Sequence, residues 1–480
     1  MTNETLLGLV IFVPLVGAFI LPLVARASEA ARNVVALCLV LCSAVCSACL
    51  LPAVLAGQDV SIKLALGIGS TLFQADKLAV FMALVSSVVS SVIVFYSFGY
   101  IKHYEHRSEY YAMVVLFLGS MMGIVYSSNL IYLFLFWEIT GFTSWRLIGF
   151  FREPKIVLKA DKAFLVTVFG ALVMLAGFLL VYQETGSFDF GAIKASLAGK
   201  PISNLAVLLI LFGVLSKSAT LPFHTWLPDA GVAPSPVTAL LHAAVLVKIG
   251  VYVFARLFVA TMGVEAVWHT AVPIIAAASA LVAAGAALIE TDMKRIIAYS
   301  TISQIGFIFF GLAVGSPTAV AGGLLYILMH GIAKGGLFLC AGIIEHQTHT
   351  KDITKMGGLA AKMPLTAFAF LFCSFSVMGV PPFGGFFSKY LVFAGAFSAG
   401  QTAIALVFLV GAFMTIIYLF RLFLALFSGE MKIPVKGEGS PGMVGSVVFL
   451  AVLSLASGIL VNYPSAFVQS AVLTMFGGSR

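Results

Sequence analysis

Charge is scarce in this chain. Only 10% of its 480 residues are Asp, Glu, Lys or Arg, while 61% are hydrophobic; ordinary soluble domains run at about 25% charged and roughly 45–50% apolar. A globule of this size in water needs a polar skin, and too little polar material is present to make one. Long polar stretches are missing too. The widest gap between apolar runs, at about 183–202, is too short for a soluble domain. Cysteine is sparse, and four of the six residues, Cys38, Cys42, Cys46 and Cys49, fall at helical spacing within one apolar run. Cluster and metal sites gather where polar ligands and backbone converge, so these four read as small helix-packing residues. The net charge of +8 is scattered over short loops rather than gathered on one face, and no nucleic-acid motif accompanies it; a nucleic-acid partner is excluded.

What is present is a succession of apolar runs of the length that crosses about 30 Å of hydrocarbon. They predict an all-α polytopic membrane protein that forms a single transmembrane domain over residues 1–480. Fourteen spans are expected, at about 6–25, 33–55, 78–100, 110–127, 129–150, 162–182, 203–227, 236–258, 268–289, 296–315, 319–344, 364–396, 401–427 and 444–470. The first follows Thr2-Asn3-Glu4 rather than a basic segment, and reads as a membrane span and not a signal peptide. With the N-terminus outside, the inner loops hold fifteen Lys and Arg residues and the outer side six, namely Lys63, Lys77, Lys194, Lys200, Arg256 and Arg480. That bias places both termini outside.

Two spans carry breaking sequences. The seventh contains Ser216-Lys217-Ser218-Ala219-Thr220-Leu221-Pro222-Phe223, and the twelfth contains Gly379-Val380-Pro381-Pro382-Phe383-Gly384-Gly385-Phe386. Proline removes a backbone donor and clashes with the preceding turn, so helices 7 and 12 are expected to be broken. Five spans separate the breaks, which divides the chain into two five-helix repeats, spans 4–8 (about 110–258) and spans 9–13 (about 268–427). Paired broken helices point to an ion pathway in a repeat-built transporter.

Six cations fall within spans: Arg146, Lys217, Lys248, Lys334, Lys389 and Arg421. A charge at mid-bilayer costs at least about 2.5–3.5 kcal/mol and needs a partner or a purpose. Glu138 lies near the middle of span five, Lys217 and Lys389 beside the two breaks, and Lys248 at the middle of span eight. A purely structural account makes Glu138 and Lys217 a stapling ion pair and the other lysines snorkelers. Snorkelling suits Lys389 partly and Lys248 poorly, because it works near a helix end. The functional account rests on what burial does to an amine: loss of water disfavours the ammonium form, and a nearby carboxylate opposes that. Approach and withdrawal of Glu138 would then load and unload Lys217, and Lys248 and Lys389 would pass charge onward. His242 stands six residues before Lys248, on another face, so water or a helix irregularity must link them. His330 and Lys334 share a face at i, i+4. Asp292, His346 and His349 read as solvated surface groups, and Arg146 and Arg421 as snorkelers near span ends.

Several of these segments form long motifs. They are Trp137-Glu138 with Leu147-Ile148-Gly149-Phe150, Lys217-Ser218-Ala219 through Thr225-Trp226-Leu227-Pro228-Asp229, Pro234-Ser235-Pro236-Val237-Thr238-Ala239-Leu240-Leu241-His242, Asp292-Met293-Lys294-Arg295 through Tyr299-Ser300-Thr301, and Pro381-Pro382-Phe383-Gly384-Gly385 through Ser388-Lys389. Together they closely resemble the antiporter-like subunits of respiratory complex I, of Mrp-type cation/proton antiporters and of the related membrane-bound hydrogenases. The resemblance implies that the two repeats are inverted and that Glu138 and Lys217 form a switching pair. It makes Lys248 the central carrier, sets Lys389 on the exit side, and gives His242, His330 and Lys334 auxiliary relay roles. Lysine at 389 resembles the Mrp D-type, hydrogenase-type and distal complex I members, whereas another complex I member has glutamate there. Arg146 stands where the relatives have an uncharged residue. Beyond the fourteenth span the sequence holds only Gly477-Gly478-Ser479-Arg480, with no long lateral helix of the kind some complex I members carry.

The function expected is translocation of protons, or of sodium, by a membrane subunit of a redox-driven complex, either complex I-like or a membrane-bound hydrogenase or formate hydrogenlyase. One alternative is the D-type subunit of an Mrp Na+/H+ antiporter, and another is the membrane subunit of an inorganic-carbon uptake complex. No motif in the chain binds NADH, flavin, an iron–sulfur cluster or nickel, so redox cofactors are expected only in partner subunits. The partners expected are other membrane subunits, the lipid bilayer and H+ or Na+. The expected location is a bacterial or archaeal cytoplasmic membrane.

Overall fold

The computed structural model describes residues 1–63 and 71–477. Helix dominates, as it must where no water is available to satisfy backbone groups. The first helices are α1 (Asn3–Ala27) and α2 (Glu29–Leu55), each opened by a side-chain cap, from Thr2 and Ser28. A departure from the all-α expectation follows them: β1 (Val60–Lys63) and β2 (Thr71–Ala75) pair antiparallel. Then come α3 (Lys77–Tyr100), α4 (Arg107–Tyr126), α5 (Leu130–Ile148) and α6 (Pro154–Thr185), with a short α7 (Phe190–Leu197) behind them.

The seventh predicted span is broken where proline was expected to break it. Helix α8 (Asn204–Lys217) stops at Lys217, and helix resumes only at α9 (Trp226–Asp229). Backbone groups freed by the break find new partners: Thr220 N–H donates to Leu215 O (3.0 Å), and the Trp226 indole N–H donates to Ser216 O (3.0 Å). The eighth span, Ser235–Thr261, is continuous but irregular. It runs through α10 (Ser235–Ala239), a π-helical turn at Leu240–Ala244, α11 (Leu246–Phe254) and a second π segment at Ala255–Thr261. Gly250 lets α11 close on α8, since a Cβ there would stand 2.5 Å from Val214 O.

The chain continues with α12 (Trp268–Ile289), α13 (Met293–Ala313) and α14 (Pro317–Thr348). Its second broken helix consists of α15 (Pro364–Met378) and α16 (Gly384–Ser398), separated by Gly379–Phe383, with Gly379 in the left-handed region at φ 83°. Helices α17 (Thr402–Phe427), α18 (Pro441–Ile459) and α19 (Asn462–Met475) complete the described chain. The expected fourteenth span at 444–470 is therefore two helices that part after Ile459, not one.

Among the described residues, eleven helices are long and apolar enough to cross a membrane, and α8 and α15 are shorter apolar helices. Burial is arranged for a lipid solvent. Phe19, Leu158, Leu165 and Phe413 are exposed, whereas His242, Lys248, Gln304, His330 and Lys334 are fully buried. Of the four spaced cysteines, Cys46 packs inside, Cys38 and Cys49 face outward, and Cys42 lies between. The packing account therefore fits Cys46 and not the outward pair. No group of three or more His, Cys, Asp or Glu among the described residues is placed to hold a metal ion.

Candidate functional site

A half-helix ending inside a membrane exposes unpaired carbonyls at its C-terminal pole, where a cation is favoured. Two lysines occupy such poles. Lys217 is the last residue of α8, and its Nζ donates to Trp137 O at 3.1 Å while lying 5.2 Å from the Trp137 ring centre. Lys389, on α16, reaches back to the end of α15, where its Nζ donates to Val377 O at 2.8 Å. The same amine sits over the rings of Phe307 (4.6 Å) and Tyr326 (5.3 Å), which supply cation–π attraction. Both side chains are buried, so neither snorkels.

Glu138 is close enough to feel the charge of Lys217. No ion pair of 4.0 Å or less joins them, because the lysine is held by the backbone of Trp137 instead. The stapling pair of the structural account is absent from this arrangement.

Lys248 lies at the centre. It is fully buried, and its Nζ is 2.5 Å from His330 Nδ1 on α14. Two full charges at that distance would repel by about 7 kcal/mol at an effective dielectric constant near 20. At most one member of the pair is therefore cationic. Lys334, one turn along α14, donates to Ile297 O at 3.1 Å. The His242 ring lies tilted against that of Phe338 (ring centres 4.5 Å apart), and neither of its ring nitrogens has a partner among the described residues. His242 lies within the π-helical turn Leu240–Ala244, which precedes the helix that carries Lys248.

From His330 a polar network runs on to Lys389. The Tyr326 and His330 rings lie 5.9 Å apart, and Tyr326 OH donates to Gln304 Oε1 at 2.6 Å. Gln304 Nε2 donates to Thr415 Oγ1 (3.1 Å), and Tyr418 OH donates to Ser300 Oγ (2.8 Å). Sequence reasoning misses Gln304, Tyr326 and Tyr418, although a glutamine amid an apolar span is a signal of its own.

Three cations have partners that their place in the sequence does not show. Arg256, assigned to the outer side, is buried and forms a bidentate pair with Asp76, the N-cap of α3; its Nη2 donates to Asp76 Oδ1 at 2.7 Å and its Nε to Tyr252 OH at 3.0 Å. Lys294, assigned to an inner loop, is buried with Glu345, while Asp292 caps α13 by accepting from the Lys294 and Arg295 N–H groups. Arg146 does not reach for lipid headgroups but pairs with Glu109, which also binds Arg152 at 2.5 Å. The physical reason is common to all three: a carboxylate far away in sequence offsets the cost of burying the cation. Arg421 donates to the helix-end carbonyls Ala287 O and Glu290 O.

The Asp76–Arg256 pair ties the start of α3 to the end of the span that carries Lys248. Removing one partner from a buried pair costs about 3–5 kcal/mol. Because the Asp76 side chain is 35% exposed, Asp76→Ala should cost the lower part of that range. A clear fall in the thermal midpoint of the purified protein is the expected result, and an unchanged midpoint would show the pair to be dispensable.

The family described as NADH:quinone oxidoreductase/Mrp antiporter, transmembrane, matches residues 127–415. A second, described as NADH-ubiquinone oxidoreductase (complex I), chain 5 N-terminus, matches residues 69–111. The A-type subunit of the Na+/H+ antiporter of Alkalihalophilus pseudofirmus is 36% identical over 430 residues, covering 83% of this chain and 53% of that protein. The corresponding A1-type Na+/H+ antiporter protein of Staphylococcus aureus is 34% identical over 427 residues, covering 81% and 53%. The chain thus spans about half the length of these curated relatives. Among solved structures, a chain of the Mrp complex from a Dietzia species superposes with a TM-score of 0.90 at 23% identity, over 99% of this chain and 98% of that one. A chain of the membrane-bound sulfane sulfur reductase, an archaeal respiratory membrane complex, gives 0.90 at 24%, over 98% and 97%. At those identities the likeness is one of fold.

Proposed function

The chain belongs to the NADH:quinone oxidoreductase/Mrp antiporter transmembrane family, and from that premise we propose that it is an ion-translocating membrane subunit of a larger assembly. In this reading fourteen helical crossings form two inverted five-helix repeats, at about 110–258 and about 268–427. Both termini face the outside of a prokaryotic cytoplasmic membrane, and the ion is H+ or Na+. Glu138 and Lys217 switch, Lys248 carries, Lys389 releases, and His242, His330 and Lys334 relay. The observation that carries the reading is the fully buried Lys248–His330 contact at 2.5 Å, in a chain whose two helix breaks each carry a buried lysine.

The parent assembly we favour is an Mrp-type Na+/H+ antiporter, because the curated relatives at 34–36% identity carry that name. Those relatives are named as A-type components, whereas Lys389 resembles the D-type, hydrogenase-type and distal complex I members. A redox-driven complex is the second reading, supported by the NADH:quinone oxidoreductase half of the family description; its redox centres would lie in partner subunits. Purification with native partners separates the two. Sodium-dependent proton movement in vesicles by a complex without visible absorbance supports the first, and iron–sulfur absorbance that tracks with the chain supports the second.

A further inference from the structure

A buried relay is useful only if water can reach it, and the ends of α3 and α14 meet the start of α13 in an arrangement suited to that. Lys294 is 1% exposed, and its Nζ donates to Ala233 O (2.7 Å) and to Glu345 Oε2 (3.2 Å). The Ser235 hydroxyl donates to the same carboxylate oxygen at 3.1 Å. Glu345 is a quarter exposed, so it touches water on one side and the buried ammonium on the other. The next residue, His346, read from the sequence as a solvated surface group, is partly buried. Its ring stacks on Tyr100 with centres 5.3 Å apart and lies 5.9 Å from the His103 ring. Inward of Lys294 stands His242, which feels the charges of both Lys294 and Lys334, and whose two ring nitrogens are buried without a partner among the described residues.

A carboxylate thus stands between a water-facing histidine pair and an interior histidine that lacks hydrogen-bond partners. We propose that Glu345 is a further proton-handling residue, which admits protons from the inner face through Lys294 to His242 and the lysine row. The inference rests on the transport reading above.

A proton from the water side joins a Glu345 carboxylate oxygen and breaks the ion pair with the Lys294 ammonium. Lys294 passes one of its protons, through bridging water, to a free ring nitrogen of His242. Glu345 then returns its proton to the Lys294 amine. One proton has moved inward, and the ion pair is restored.

The test is proton flux in proteoliposomes of the assembled complex, read with a pH-sensitive dye, for Glu345→Gln, Glu345→Asp and Lys248→Ala. Glu345→Gln keeps shape and hydrogen bonding but cannot exchange a proton, and flux should fall by about tenfold or more; Glu345→Asp should stay within about threefold of the wild type. Wild-type flux in Glu345→Gln overturns the proposal. So does an equal loss in the Gln and Asp variants, which would make the role one of shape. With Lys248→Ala inactive, either result sinks only the role of Glu345; wild-type flux in Lys248→Ala sinks the transport reading itself.

Discussion

Lys248→Arg is expected to abolish ion transport in the assembled complex while the chain still inserts and assembles. Arginine keeps the positive charge and the donor capacity, so any role as a fixed charge or a hydrogen-bond donor survives the change. Its guanidinium does not deprotonate in proteins, however, so a role that requires the side chain to lose a proton does not. The expected loss is about a hundredfold or more, the scale on which positioned acid–base groups contribute. The geometry sharpens the expectation: Lys248 Nζ and His330 Nδ1 lie 2.5 Å apart, too close for both to be charged. A permanent cation at 248 would hold His330 neutral and stop exchange between them. Transport at the wild-type rate would mean that Lys248 never gives up its proton during the cycle.

Glu138→Gln and Lys217→Met should each abolish transport, and the double variant should be no worse than the poorer single one. Groups that act as one unit give strongly non-additive losses, because removing either already removes the step. In the observed arrangement Lys217 is bound to the Trp137 carbonyl, and Glu138 stands beyond 4.0 Å. An approach of Glu138 is therefore a change the site can still make, and the energy of that approach is what each single variant deletes. Flux measured in vesicles for the two single variants and the double one forms the cycle. Additive losses would separate the two residues into independent roles and remove the switch.

The sequence is informative where physics acts locally. Pro222 and Pro381-Pro382 disrupt any helix that contains them, so both breaks are visible in it, and Lys217 and Lys389 can be set beside them. Lys248 stands out because a charge at mid-span has no local excuse. A six-residue spacing cannot put His242 and Lys248 on one face of a regular helix, so water or an irregularity is expected to link them, and a π-helical turn does run through Leu240–Ala244. Partners distant along the chain are not legible. Asp76 and Arg256 are 180 residues apart, and Lys294 and Glu345 are 51 apart; only tertiary structure brings each pair together. Loop position sets Lys294 on the inner side and Arg256 on the outer side, but it does not show the distant carboxylates against which both are buried. The Gln304–Tyr326–Tyr418 network is hidden for another reason. Its members are neutral, so they leave no mark on a charge map, yet they fill the space between His330 and Lys389.

The central claim is that amines held away from water in this bilayer gain and lose charge as part of the cycle. Nitrogen-15 NMR of lysine side chains in the reconstituted complex tests it directly, with the Lys248 signal identified by its disappearance in Lys248→Arg. Two signals for Lys248, one from ammonium and one from neutral amine, with populations that change when an ion gradient is applied, are the result predicted. A single ammonium signal, unmoved by the gradient, would contradict the claim.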